Sequence, residues 1–333
     1  GEEYWTKRST REHGLSPAVI SDDPRNLQYV ALSHCWGEDP HFLTLTLDNQ
    51  HSLRTGVSLA KLTKTFQESA ITAASVGYSF LWIDSLCIVQ DSPEDWKRES
   101  MTMRDVYKNA AFTIVASASW SGKEGLFRAQ NPLQNHPCVL GVRAAHKGKS
   151  TVTYAIPSQM DIEKTRRIEL ELCKWNRRGW CLQERALSRR VIFFGESQLH
   201  FELKEASGEV VHIQSQGNER GYFEPNRLRP EASVARGYFS QTWWEYVNSY
   251  TQRQLTYRSD RPLAIRGLAE SMEEAGIPMF LSSLKPQLRS SGTASNDFIA
   301  GLLWYVDKDA TCRPSSEADN YPTWSWLSVD GVI

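Results

Sequence analysis

The sequence predicts an α/β fold with a parallel sheet at its core, extra β strands and a C-terminal helical extension. Two observations carry this. Short apolar, β-rich runs at 29–33, 80–83 and 111–116 each stop at a polar or Gly-containing turn. Between them lie two stretches with apolar residues at helical spacing, so strand, helix, strand, helix, strand follow one another as βαβ units.

Residues 1–28 are polar, carry Pro17 and Pro24, and read as an irregular N-terminal arm. Tyr29-Val-Ala-Leu-Ser33 is the first buried strand and empties into His34-Cys-Trp-Gly37. Residues 38–60 are loop-like, with a short strand at 42–47. Thr65-x-x-Glu68 has the form of a capping box; Phe66, Ala70, Ala73 and Ala74 share a face behind it, and Gly77 closes the helix. Phe80-Leu-Trp-Ile83 is the second strand, ending at Asp84-Ser85. Ser92-Pro93 then places a cap and an N1 proline ahead of Trp96, Met103, Val106 and Tyr107. Ala111-Phe-Thr-Ile-Val-Ala116 is the third strand. Beyond it, 139–142 and 151–156 read as strands, and 160–173 as a polar helical lead-in. Strands are expected at 190–195 and 198–203, an irregular connection over 205–237, and helices over 242–254, 261–275 and 297–305. A Ser/Gly/Pro-rich stretch at 282–296 separates the last two. The domain reading is an arm (1–28), an α/β core (29–205) and a helical extension packed on that core (206–333).

At 333 residues the chain is long enough for a large core. Its 38 basic and 39 acidic residues give a net charge of −1, which argues against nucleic-acid or anionic-membrane binding. No apolar run approaches membrane-spanning length. The six cysteines are scattered without a close pair, so a reducing, cytoplasmic compartment and no metal are expected. Twelve tryptophans point to an aromatic core or a stacking pocket. The ending at Asp330-Gly-Val-Ile333 reads as a cut from something longer.

Arg178-Gly-Trp-Cys-Leu-Gln-Glu184-Arg-Ala-Leu187 reads as a short helix. Trp180, Glu184 and Leu187 stand at i, i+4 and i+7, so a carboxylate shares a face with two large apolar groups. Burial there would favour the protonated acid, and Arg178 or Arg185 would oppose that; a solvated surface Glu is the plainer alternative.

Several stretches together resemble the signature blocks of the fungal heterokaryon-incompatibility (HET) domain. They are Tyr29-Val-Ala-Leu-Ser-His-Cys-Trp-Gly37, Leu81-Trp-Ile-Asp-Ser-Leu-Cys-Ile-Val-Gln-Asp91, Tyr107-Lys-Asn-Ala110, Gly125-Leu-Phe127 and Arg178-Gly-Trp-Cys-Leu-Gln-Glu-Arg185. The likeness runs on through 255–260, 264–269 and 324–331. Thr63 departs from it, standing where these domains usually carry Pro, and Phe201-Glu-Leu-Lys204 lacks an expected cysteine. The resemblance implies a role in allorecognition and programmed cell death. The family is itself distantly similar to TIR domains, which implies a TIR/flavodoxin-like core. Trp180-Cys-Leu-Gln-Glu184 resembles the helix that carries the catalytic glutamate of TIR enzymes that cleave NAD, and 30–39 resembles their first strand and loop. By that likeness Glu184 is the catalytic residue of an NAD glycohydrolase.

The chemistry fits one carboxylate. Nicotinamide leaves as a neutral ring, so no general acid is required, and the acid has only to face the oxocarbenium-like sugar. In a parallel α/β sheet ligands bind beyond the carboxyl ends of the strands. That nominates Ser33, His34, Cys35, Trp36, Gly37, Asp84 and Ser85, with Trp180, as the binding set for a nucleotide-like small molecule. Trp36 or Trp82 could stack on a ring or be packing indoles. Asp84 could bind a ribose hydroxyl or cap a turn, and His34 could be a base or a structural imidazole. No GxGxxG or P-loop pattern occurs, so NAD is expected as substrate rather than cofactor. A zinc site at Cys35, Cys87, Cys181 and His34 lacks paired ligands, and a Cys87 nucleophile competes with simple burial. Two further readings stand beside the enzyme. One is a non-enzymatic module acting through homo-oligomerisation or signalling partner proteins. The other is a HET fold recruited to small-molecule biosynthesis.

Overall fold

A computed structural model of the protein describes residues 4–8, 14–19, 28–38, 41–129, 138–140, 153–155, 158–204, 210–214, 217–219, 237–274, 305–306, 313–314 and 325–333. β1 (Tyr4–Arg8) and β2 (Gly14–Val19) pair as a hairpin ahead of β3 (Val30–Ser33). α1 (Gln50–Thr55), β4 (Val57–Ser58), α2 (Lys64–Ser75), β5 (Phe80–Ile83) and the single turn α3 (Asp84–Cys87) follow. Next come α4 (Pro93–Asn109), β6 (Phe112–Val115) and a small hairpin of β7 (Cys138–Leu140) and β8 (Thr153–Ala155). α5 (Gln159–Arg166) runs into a π turn, Arg167–Glu171, and α6 (Gly179–Leu187) leads to β9 (Arg190–Phe194) and β10 (Leu199–Lys204). β11 (Val210–Gln214), β12 (Gly217–Glu219), α7 (Gly237–Thr251) and α8 (Leu263–Glu274) complete the described larger elements.

The main sheet has the order β12-β11-β10-β9-β6-β3-β5-β1-β2-β4. Its centre, β9-β6-β3-β5, is parallel, and the flanking strands are antiparallel. Counting only the parallel strands in chain order, the arrangement is 2-1-3-4, as in flavodoxin-like sheets. The chain reverses its direction of travel across the sheet between β3 and β6, and a crevice opens at the carboxyl ends of such strands.

Side chains alternate across the central strands and build a core on each face. Val30, Leu32, Leu81, Ile83 and Ile114 meet Phe66, Ala70 and Ala73 of α2. On the other face Ala31 and Trp82 meet Met103 and Tyr107 of α4, with Leu182, Ala186 and Leu187 of α6. Trp243, Tyr246 and Val247 of α7 and Ala264, Ile265 and Leu268 of α8 extend that second core. The C-terminal helices thus sit on α6. Gly267 of α8 donates its amide to the side-chain Oε1 of Gln183 at 3.0 Å, and a Cβ at Gly267 would stand 2.5 Å from that atom.

Several sequence expectations need correction. The stretch 1–28 is not wholly irregular, because β1 pairs with β5 and extends the sheet. No strand forms at 42–47; Leu45 instead exchanges backbone hydrogen bonds with Ser85 and Gln90 at 2.8 Å. The α2 cap is Thr63, whose hydroxyl accepts from the Phe66 amide at 3.4 Å, and not Thr65. Glu68 accordingly makes no capping box. Its carboxylate accepts from the Leu126 and Phe127 amides, the latter at 2.8 Å. Part of 205–237 is strand, since β11 and β12 continue the sheet. The Ser92-Pro93 cap forms as expected, with Ser92 Oγ accepting from the Asp95 amide at 3.2 Å. Trp326 is fully buried in the second core. Trp324, Asp39, the stretch 282–296 and the helix expected at 297–305, apart from Tyr305, lie outside the described residues.

Candidate functional site

β3 delivers Ser33 to the carboxyl edge of the sheet, and α6 comes back over that edge from the far side of the chain. Ser33 Oγ donates to Glu184 Oε2, and Trp175 Nε1 donates to Ser33 Oγ at 2.6 Å. All three groups are buried, Glu184 at 3% exposure. Burial pushes the Glu184 carboxyl above its usual range, while the nearby Arg178 guanidinium and the hydrogen bonds from Ser33 and Tyr107 pull it back. Arg178 donates to the His34 carbonyl and to Cys181 Sγ at 3.5 Å, so it ties the start of α6 to the loop after β3. Arg185, the other expected partner, faces away: it pairs with Glu202 at 3.0 Å and with Glu171 at 3.1 Å.

The loop after β3 carries the remaining groups. His34 is 2% exposed and packs edge-on against Phe66, with ring centroids 4.9 Å apart. Burial lowers its pKa to about 4, against the pull of Asp84, so the imidazole is neutral at pH 7. Neither ring nitrogen has a hydrogen-bond partner among the described residues, and Asp84 Oδ1 stands 3.8 Å from Nδ1. Asp84 divides its carboxylate. Oδ2 accepts from Trp36 Nε1 at 3.0 Å, and Oδ1 accepts from the neighbouring Ser85 amide at 2.7 Å; Asp84 is the first residue of α3 and not its cap. Ser85 is buried, and its hydroxyl has no partner among the described residues. Gly37 has φ +91°, and a Cβ there would stand 3.0 Å from Ser121 Cβ. The loops after β3 and β6 therefore touch beyond the carboxyl ends of the strands, where Trp36, Gly37 and Asp84 are only partly covered.

The structure brings Ser33, His34, Trp36, Asp84 and Glu184 to one end of the sheet. Trp180 turns elsewhere: its Nε1 donates to Asp260 Oδ2 at 3.2 Å, and its ring packs on the C-terminal helices. Trp82 is a core indole, 5.6 Å from Tyr107 in an edge-on pair. Cys35, Cys87 and Cys181 are buried and in no disulfide; burial raises the pKa of Cys35, and that of Cys181 well above its usual value. No group of three metal-ligating side chains occurs among the described residues. No described helix is long and apolar enough to cross a membrane.

Sequence reasoning did not single out Trp175. It lies on a 3-10 turn, Trp175–Arg177, inside a polar stretch without periodicity, and the high tryptophan count was the one signal of it. The preceding π turn is held by Glu169, which accepts from Ser197 Oγ at 2.6 Å and the Ser197 amide at 2.8 Å, and meets His200 Nε2 at 2.7 Å. Burial works against its charge, but these bonds hold the Glu169 carboxyl below the usual range. The β9–β10 turn is thereby bolted to the segment that carries Trp175.

Among known families, residues 29–184 match the one described as Heterokaryon incompatibility protein (HET). Neither a curated protein nor a solved structure matches the chain. The matched span opens one residue before β3 and closes on Glu184 itself.

Proposed function

Because the chain carries a HET domain over residues 29–184, linked by its family to heterokaryon incompatibility and cell death, we propose that it is an effector that cleaves NAD with Glu184. The observation that carries this reading is the Ser33–Glu184 hydrogen bond, an acid brought from α6 to the carboxyl end of the central strand. The desolvated carboxylate, with Arg178 and Ser33 supporting its charge, is suited to a developing positive charge on a sugar.

In the reaction the bond between ribose C1′ and the nicotinamide nitrogen breaks, and its electron pair stays on the nitrogen. Water adds to C1′ and releases a proton to solvent, giving nicotinamide and ADP-ribose. Glu184 faces the oxocarbenium-like carbon, as the charged carboxylate does in glycoside cleavage. Ser33, anchored by Trp175, holds that carboxylate in one orientation. Neutral His34 and the Asp84 carboxylate line the same end of the sheet and suit ribose hydroxyls.

The test is incubation of the purified full chain with NAD, following nicotinamide by chromatography. Release that disappears in Glu184→Gln supports the reading; release that persists unchanged removes Glu184 from it. One observation favours the assembly module instead. Ile168 and Leu172, four positions apart around the π turn, are both exposed and would suit a second protein surface. A chain that stays monomeric at high concentration and binds no partner counts against that alternative.

A further inference from the structure

The loop after β6 presents a large side chain that the reaction above does not use. Trp120 is 55% exposed, which is unusual for an indole, and it sits next to Ser121, the residue packed against Gly37. It therefore stands beyond the carboxyl ends of the central strands, on the β6 side of the point where the chain reverses its travel across the sheet. A cation from a third segment meets it. Lys174 Nζ lies 3.5 Å from the centre of the Trp120 ring, one residue before the Trp175 that anchors Ser33. Among the described residues the carboxylate paired with that ammonium is Glu38, at 4.0 Å, which is itself almost fully exposed and so binds it weakly.

An exposed π face beside a weakly held ammonium is what a nucleotide needs: a surface for the base and a cation for the phosphates. Trp120 is more than half exposed and belongs to no core cluster, so its removal would open no core cavity. We propose that Trp120 and Lys174 form an outer subsite for the base-and-diphosphate half of a nucleotide. The base stacks on the indole, and the ammonium swings from the ring to the phosphate oxygens. This rests on the reading of Glu184 as an NAD-cleaving acid, to which it adds the part of the substrate remote from the broken bond.

The test uses ADP and adenosine as probes, titrated by calorimetry against the full chain. Both positions are at the surface, where substitution affects folding little. ADP affinity should fall about tenfold or more in Trp120→Ala and largely survive in Trp120→Phe. Lys174→Gln should weaken ADP but leave adenosine unchanged, and rising salt should weaken ADP in the wild type more than in Lys174→Gln. No ADP binding, or equal affinity in Trp120→Ala, overturns the subsite. The two readings separate cleanly. ADP binding that depends on Trp120, without nicotinamide release, keeps the subsite and removes the cleavage chemistry. Nicotinamide release that needs Glu184, with ADP affinity indifferent to Trp120, does the reverse.

Discussion

Ser33 and Glu184 are 151 positions apart and joined by a hydrogen bond from the Ser33 hydroxyl to the Glu184 carboxylate. The bond crosses from the end of the central strand to α6, and it fixes an acid where it is costly to keep one ionised. Burial raises the acid's pKa, so the charged form is complete only above that raised value. The pH profile of NAD cleavage should therefore have an acid limb above the ordinary glutamate value of 4.5. Activity is lost as pH falls through it.

The same shift has a consequence for stability. An acid whose folded pKa is raised favours the folded chain most when protonated, and that advantage is gone above the folded pKa. Glu184→Gln keeps the shape and removes the charge. At pH 7 it should abolish cleavage while raising stability by about 0.5–2 kcal/mol, the usual trade at a functional site. Denaturant melts of both proteins check it; a Gln variant less stable than wild type would make the acid a structural member.

His34 works in the opposite sense. Its folded pKa of about 4 lies below the unfolded value of 6.5, so the stability it contributes is present above 6.5 and lost as pH falls toward 4. The full loss is about 3 kcal/mol. His34→Gln should remove that slope. Denaturant midpoints of wild type and variant, measured between pH 7 and 4, should converge or cross as the pH drops.

Arg178 supports the charge on Glu184 and holds the His34 carbonyl. Arg178→Gln should cost about 2 kcal/mol of stability through a lost charged hydrogen bond. It should also move the acid limb of the activity profile further upward, a shift that a purely architectural residue would not cause.

Glu68 offers a control away from the acid. It accepts two backbone amides at the Gly125-Leu-Phe127 turn, and Glu68→Ala leaves both amides without that acceptor. A loss of about 1–3 kcal/mol is expected. The cost should appear in the denaturant midpoint.

Those two amides also show where the sequence misleads. Thr65 and Glu68 have capping-box spacing, yet the helix cap stands two residues earlier, at Thr63. Thr65 and Glu68 spend their side chains on the 121–127 segment, more than fifty positions away, which no local window can see. The N-terminal hairpin was opaque for the same reason, because pairing with β5 sets its strands, and residues 1–28 carry little apolar patterning of their own. The central strands were legible because alternating apolar residues buried on both faces leave a strong local signal. Glu184 was legible because a carboxylate on an apolar helix face is conspicuous. Trp175 was not, since what matters about it is a single contact made in three dimensions.

The start of α6 is stitched to the chain beyond it: the Gly179 amide donates to the Gln254 carbonyl at 2.7 Å, and the Gln254 amide to the Arg177 carbonyl at 2.6 Å. A fragment trimmed to residues 29–184 would end inside α6, one turn short of Leu187. It would also strip away the cover that α7 and α8 provide and the neighbouring strands β9 and β10. The smallest piece able to stand alone is thus wider than the recognisable signature. The tail that looks like an appendage is a clasp without which the acid has no fixed address.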